Sequence, residues 1–323
     1  MALLLAEALK LTPNQFQANV VASVITACEL WQFLETFSMD GPALQYNREN
    51  TLATAAMLAV GGTVTESATT FTQIISTLET CVGDVDVDNK LQSQYSNIID
   101  QTQAQIMLKA KAVRRTLESQ FITGNGTSPN LTGLNTLATG GQLVASVGVN
   151  GDAISFALLD AMIDQYLLIK AGRVAFICNG KLKSRILTLF RTTNYNGPWY
   201  QIPQVPRMGT GDDQTALPSL AVPTYRGIPI IQCDWIPDTE AKGASTTLTS
   251  LYLASFDQDA GLAMALGKHM DSPRNIAGAG LFAVEEVGLV QNMDAVRYRV
   301  KAYAALMLKS DKALVRAKEL IGL

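Results

Sequence analysis

One run of residues restricts what this chain can become. Between residues 87 and 122, Leu91, Tyr95, Ile98, Thr102, Ile106, Lys109, Val113, Leu117 and Phe121 recur at steps of three or four, the spacing of one mostly apolar stripe on a single helix. Asp84, Asp86 and Asp88 crowd its start, where carboxylates suit the unpaired NH groups and the helix dipole, and Gly124 or Gly126 can close its end with a left-handed cap. Counted from Asp88 to Ile122 at ~1.5 Å per residue, such a helix would reach about 52 Å. Few globular domains need a rod of that length, so the rest of the chain must be arranged along it.

Composition narrows the setting. Of the 323 residues, 16% are charged and 48% hydrophobic, against roughly 25% charged in an ordinary soluble domain. A surface so thinly charged is expected to be covered by something. Lipid is not the expected cover. No stretch approaches ~18 uncharged apolar residues, and MALLLAEALK carries Glu7 and no basic leader, which argues against a membrane span or a secretory signal. Burial between copies of the chain is the remaining reading. A net charge of −3 argues against nucleic-acid binding through a basic face. The charge is uneven, however: residues 1–161 hold 7 Lys+Arg and 14 Asp+Glu, and residues 162–323 hold 18 and 14. That asymmetry suits head-to-tail contact between copies, with chance as the competing explanation.

Several local signals organise the remainder. Thr12-Pro13-Asn14-Gln15 has the form of a helix start, and Phe16, Val20, Val21, Val24, Cys28, Trp31 and Leu34 mark an apolar face to about Phe37. Residues 45–81 are poor in charge and rich in Thr and Ala, with Gly61-Gly62 between two extended runs, a hairpin signal. An isolated two-stranded ribbon is marginal in water and must lie on something, its own core or another subunit. Asn150 or Asp152 can cap a helix to about Ile169; VAFIC is a strand, and Asn179-Gly180 turns into a further helix. Residues 194–223, with five prolines, read as a long loop carrying Tyr195, Trp199 and Tyr200, for which packing or loop anchoring is favoured over stacking on bases. GIPIIQCDW, LTSLYLASF, GLAMALG and residues 296–306 read as strands, the last turned back on 281–290 so that Glu285 and Glu286 come within reach of Arg299 and Lys301.

The same residues offer few motifs for chemistry. His269 is the only histidine, with no Ser or Cys motif beside it, so a catalytic triad has one possible His and a multi-histidine metal site has none. Asp84, Asp86 and Asp88 resemble the opening of a calcium loop, but Asn89 stands where Gly is needed and Tyr95 where the bidentate Glu belongs. Gly180-Lys181 lacks the rest of a phosphate loop, and there is no GxGxxG after a strand. Cys28, Cys81, Cys178 and Cys233 show no paired spacing and read as small buried hydrophobes in a reducing cytoplasm. No enzyme, cofactor or metal is expected.

A long helix ending in a Gly-Asn-Gly-Thr turn, then Pro129, Gly133 and Leu134, resembles the spine helix and following loop of the major capsid proteins of tailed double-stranded DNA bacteriophages. RVAFICNGKLKSRILTLF, YRGIPIIQCDWIP, TSLYLASFDQ and VRYRVKAYAALML fit in the same order. The resemblance covers about Gln45 to the C terminus and implies an α+β (mixed α/β) subunit. Its parts would be an N-terminal arm (1–44), an extended hairpin loop (45–82), a peripheral domain (83–150 and 268–323, with the spine helix at 87–122) and an axial domain (151–267). Copies would form pentamers and hexamers of an icosahedral shell around double-stranded DNA, bound without sequence specificity, with a scaffolding protein, a portal and a decoration protein as further partners. The arm begins almost at Met1, so a separate scaffold or an already removed segment is expected. No Lys lies between Lys10 and Lys90, so the lysine-to-asparagine cross-link that some relatives form from this loop has no starting residue. Candidate subunit-contact residues are Phe16, Val20 and Trp31 in the arm, Gly61, Gly62 and Phe71 in the loop, and Tyr195, Trp199 and Tyr200 in the axial segment. An encapsulin-like shell and an oligomeric cytosolic α/β enzyme are the alternatives.

Overall fold

A computed structural model of the chain describes residues 28–90, 93, 101–166, 173–192, 223–268, 275–277 and 282–322. The helix face expected before Cys28, most of the proline-rich loop, and His269 lie outside them. The expected helix does not run on to Phe37. Cys28 bridges to Cys233, Glu29–Gln32 makes a single 3-10 turn, and strand β1 (Glu35–Met39) pairs parallel with residues 263–267. Pairing with a buried strand outweighs a weak local preference for helix. Strands β2 (Ala43–Thr51) and β3 (Thr70–Thr77) then form a separate antiparallel ribbon, and β4 (Glu79–Asp88) joins the main sheet.

The expected rod therefore starts later than Val87. Asp88 ends β4 and its carboxylate accepts from the Lys90 NH, where the chain turns helical, so Asp88 is a cap. Asp84 and Asp86 are strand residues and serve a different purpose, described below. Helix α1 is described from Gln101 to Thr123. Its end is closed by a close approach of backbones: Gly133 NH donates to Gly124 O, and a Cβ on Gly124 would lie 2.2 Å from Leu131 O. Of the two candidate caps, Gly126 alone has the positive φ (71°).

A one-turn helix α2 (Leu134–Leu137) and strand β5 (Leu143–Val144) lead to helix α3 (Phe156–Gln165). Ser155, not Asn150 or Asp152, caps α3, its hydroxyl accepting from Leu158 NH. Strand β6 (Arg173–Cys178) passes through Asn179, whose Oδ1 accepts from Leu182 NH, into helix α4 (Gly180–Thr192), as the sequence pattern indicates. Strands β7 (Thr224–Tyr225), β8 (Ile228–Gln232), β9 (Glu240–Lys242), β10 (Ser245–Phe256), β11 (Leu262–Gly267), β12 (Asn275–Ala277), β13 (Ala283–Leu289), β14 (Ala295–Leu308) and β15 (Leu314–Ile321) complete the chain.

Thirteen described strands form one sheet, along the path β12-β13-β14-β11-β10-β6-β8-β7. β15 pairs with β10 and β4 with β14, so the sheet runs unbroken across residue 267, where the axial and peripheral segments were expected to part. β10 and β6 read as near-continuous apolar runs because both faces of the sheet are covered there. Tyr252, Ala254, Phe256, Ala175 and Ile177 face one core with the end of α1, whereas Leu251, Leu253, Phe176 and Cys178 face a second core with α3 and α4. The two-residue side-chain period of a strand assigns each residue to its side.

α1 docks through Val113, Leu117, Phe121 and Ile122, all buried, and lies so close to β4 that a Cβ on Gly83 would meet Lys109 Cδ at 2.8 Å. Buried Glu118 organises this seam. Its Oε1 accepts from Trp31 Nε1 (2.6 Å) and Arg114 Nε (2.9 Å), and its Oε2 from Trp235 Nε1 (3.1 Å). One carboxylate thereby joins the N-terminal segment, the helix and the loop after β8.

Charge is balanced across the chain. Antiparallel register sets Asp86 opposite Arg297 and Asp84 opposite Arg299, and each pair is bidentate at 2.7–2.8 Å. Lys301 pairs with Glu285, as expected, whereas Arg299 takes Asp84. Glu29–Lys183, Asp160–Arg226 and Asp40–Lys268 likewise join the acidic half to the basic half. The asymmetry of the two halves is met in good part inside one subunit.

Two outcomes follow from these contacts. Glu118→Ala leaves two indole NH groups without their acceptor and is expected to cost about 2–4 kcal/mol, measured by denaturant unfolding; an unchanged midpoint would contradict the role given to Glu118. Contacts with Lys318, Lys242 and Ser146 hold Glu319 down from its ordinary 4.5 to about 2. Arg299 and Arg297 lower Asp84 and Asp86 in the same direction. A carboxyl depressed in the folded state stabilises fully above its unfolded value and ceases to do so as pH falls through the folded one. The melting temperature is therefore expected to fall between about pH 4.5 and 2, and less steeply in Glu319→Gln.

Candidate assembly surfaces

The ribbon is the feature least supported by its own chain. Its base is tied to the end of β14: Tyr46 Oη donates to Leu308 O (2.7 Å), Arg48 Nη2 and Nε donate to Leu308 O and Lys309 O, and Ser76 Oγ donates to Leu306 O. Beyond that base, every residue from Thr51 to Gln73 except Thr69 is exposed. Met57 and Val60 are fully exposed, Phe71 is 68% exposed, and Leu52, Val64 and Ile75 also face outward. No backbone ladder continues past Thr51 and Thr70. Hydroxyl contacts take over: Ala53 NH donates to Thr69 Oγ1, and Thr54 NH to Ser67 Oγ. The abundance of Thr and Ser in this stretch therefore holds two arms together with no core beneath them.

The tip is a turn in which Gly62 NH donates to Ala59 O (2.9 Å) and Gly61 takes φ 85°. Val60 and Gly61 occupy its centre, as in a type II turn, so the expected Gly61-Gly62 centre moves back by one residue. Phe71 lies on β3 with its ring outward. Trp31 differs: it is turned onto its own subunit, edge-on to Phe121 at 5.3 Å, with Arg114 over its ring. Phe16, Val20, Tyr195, Trp199 and Tyr200 lie outside the described residues. Further apolar side chains face outward at Val147 and Val149, at Met107 and Leu108 on α1, and around the β13–β14 turn at Val287, Leu289 and Met293. Sequence patterning did not single these out. Leu108 breaks the α1 stripe, and Leu289 was counted with a strand whose outer face was unknown.

Nothing in the described geometry converges on a reaction. No group of three His, Cys, Asp or Glu residues there could hold a metal ion, and no described helix is long and apolar enough to cross a membrane. A cavity of about 520 Å³ is lined by Ile154, Lys181, Ser184, Arg185 and Thr188. Its Ser184 and Thr188 hydroxyls donate to carbonyls of their own helix, and Lys181 is paired with Asp238. The cysteines do depart from expectation. Cys178 is buried and its thiol is pushed up to about 12 by burial, but Cys28 and Cys233, far apart in sequence, lie with sulfurs 2.7 Å apart.

The fold is that of known shell proteins. The chain superposes on a subunit of the holo-SrpI encapsulin complex of Synechococcus elongatus with a TM-score of 0.73 at 17% identity, covering 100% of this chain and 97% of that one. The capsid of cyanophage A-1(L) gives 0.71 at 11% identity, covering 96% and 98%, and the capsid of a native GTA particle gives 0.62 at 13%, covering 98% of each. No curated protein sequence matches the chain. The sequence model described as the phage capsid family matches residues 10–317. A match over nearly the whole length, on a subunit whose long ribbon has no core of its own, leads to one conclusion: this chain belongs to the phage capsid family.

Proposed function

We propose that this capsid subunit closes with its own copies into pentamers and hexamers of an icosahedral shell, in which the ribbon lies across a neighbouring subunit. The observation that carries the reading is the bare ribbon. Covering a Val, Leu, Met or Phe side chain contributes about 1.5–3 kcal/mol, and each of these outward residues would gain that from another chain. Residues 1–44 would act as an arm, 83–150 with 268–323 as the peripheral part, and 151–267 as the axial part around a capsomer axis, where Tyr195, Trp199 and Tyr200 would meet their counterparts. The ribbon lacks lysine, so the contacts would be noncovalent, supplemented by a decoration protein. A scaffolding protein and a portal complete the partners. Double-stranded DNA is the cargo the family supplies; the net charge of −3 suits a container that does not grip it. Assembly would take place in the host bacterial cytoplasm. A structural role leaves no reaction to assign.

A shell around a protein cargo is the second reading, favoured by the likeness to an encapsulin subunit. Electron microscopy and the ratio of ultraviolet absorbances of purified particles separate the two, since packaged DNA and a tail vertex exclude the compartment. The shell itself is tested with Val60→Asp plus Phe71→Ser. Both sites are exposed, so the folded subunit is expected to change by no more than about 0.5 kcal/mol, while sedimentation shows small oligomers in place of particles. Particles assembled normally by the double variant would refute the ribbon's role, and a stable dimer or tetramer of the wild type would refute the shell.

A further inference from the structure

Cys28 and Cys233 are separated by 205 residues and sit opposite each other in an isolated antiparallel bridge, sulfur to sulfur at 2.7 Å. Opposed residues of an antiparallel pair hold their Cα atoms about 4.5–5.5 Å apart, within the ~4.4–6.8 Å that a disulfide accepts. The bridge therefore already supplies the backbone spacing the bond requires. Cys233 is fully buried behind β8, its NH donating to Cys178 O, whereas Cys28 is only half-buried. The neighbouring residue strengthens the clamp, since Glu29 accepts from Gln232 NH at 3.1 Å.

From this geometry we infer that Cys28 and Cys233 are a dithiol pair that closes to an intrasubunit disulfide, fastening the root of the N-terminal segment to the end of β8. The oxidant is a small-molecule disulfide such as glutathione disulfide. Cys28, the accessible partner, attacks as thiolate. One glutathione sulfur bonds to Cys28, the glutathione S–S bond breaks, and the first glutathione leaves as a thiolate that takes up a proton. Cys233 then loses its proton and attacks the Cys28 sulfur, forming the internal bond and expelling the second glutathione. Two protein thiols are oxidised and one glutathione disulfide is reduced to two thiols. The contact with Cys28, together with burial, pushes the Cys233 thiol above its ordinary range, so the half-buried Cys28 is the entry thiol. A reducing cytoplasm keeps the pair open. Outside it the bond closes, adding a covalent link to the bridge, the Glu29 contact and the Trp31–Glu118 bond that anchor residues 28–34. Only this consequence for a released particle rests on the shell reading.

The test uses the full-length protein, exposed to glutathione disulfide, alkylated with iodoacetamide under denaturing conditions and cleaved after Lys and Arg. The four cysteines fall in separate peptides, 11–48, 49–90, 174–181 and 227–242. Peptides 11–48 and 227–242 should appear joined, lighter by two hydrogens than their sum, while 49–90 and 174–181 carry the alkyl group. The oxidised protein should melt several degrees above the reduced one, and Cys28→Ser should remove that difference. Alkyl groups on both Cys28 and Cys233 after oxidation, a terminal glutathione adduct, or a link to another cysteine or another chain would overturn the inference. Particle formation is scored separately by microscopy: joined peptides from a protein that forms no shell would keep this inference and remove the functional one, and shells with four free thiols would do the reverse.

Discussion

The seam between the last turns of α1 and the sheet is the contact on which the architecture depends. Val113, Leu117 and Phe121 supply its apolar area, Gly83 lets the helix approach β4, and Glu118 draws Trp31 and Trp235 to the same point. Parts of the chain that are distant in sequence meet there: the turn after Cys28, the helix, the loop after β8, and the strands β10, β11 and β14. An unpaired buried carboxylate or indole NH is costly, so the turn, the helix and the loop after β8, which Glu118 joins, hold their places together or not at all.

The body built on that seam contrasts with what projects from it. β10 and β6 are sealed on both faces, while the ribbon leaves Leu52, Met57, Leu58, Val60, Val64, Phe71 and Ile75 exposed. Soluble monomers seldom keep such a combination. In the proposed shell, the surface that one subunit leaves in water would be covered by the next. The low charge content belongs to the same account. Many of the carboxylates and bases that are present face each other within the subunit, as Asp84 and Arg299 do, and contribute little to keeping copies apart.

Much of this is legible in the sequence. The period of Val113, Leu117 and Phe121 located the buried face of the helix, the apolar runs in β6 and β10 marked strands, and Thr, Ala and Gly near residue 61 marked a ribbon. Where the structure departs from the local pattern, the cause is the same. Asp84 and Asp86 look like helix-start carboxylates until β14 brings Arg299 and Arg297 alongside, and Glu35–Met39 looks like the end of a helix until β11 offers it a ladder.

The sequence by itself determined the local periodicities and the shortage of charge, because each depends on neighbours within a few positions or on totals that ignore order. Only the tertiary structure decided which carboxylate is a cap and which a cross-strand partner, that Cys28 would meet Cys233, and that the ribbon would stand clear of its own core. Those outcomes turn on pairings across 200 residues or more, or on which strand edges are already occupied, and no local window contains either.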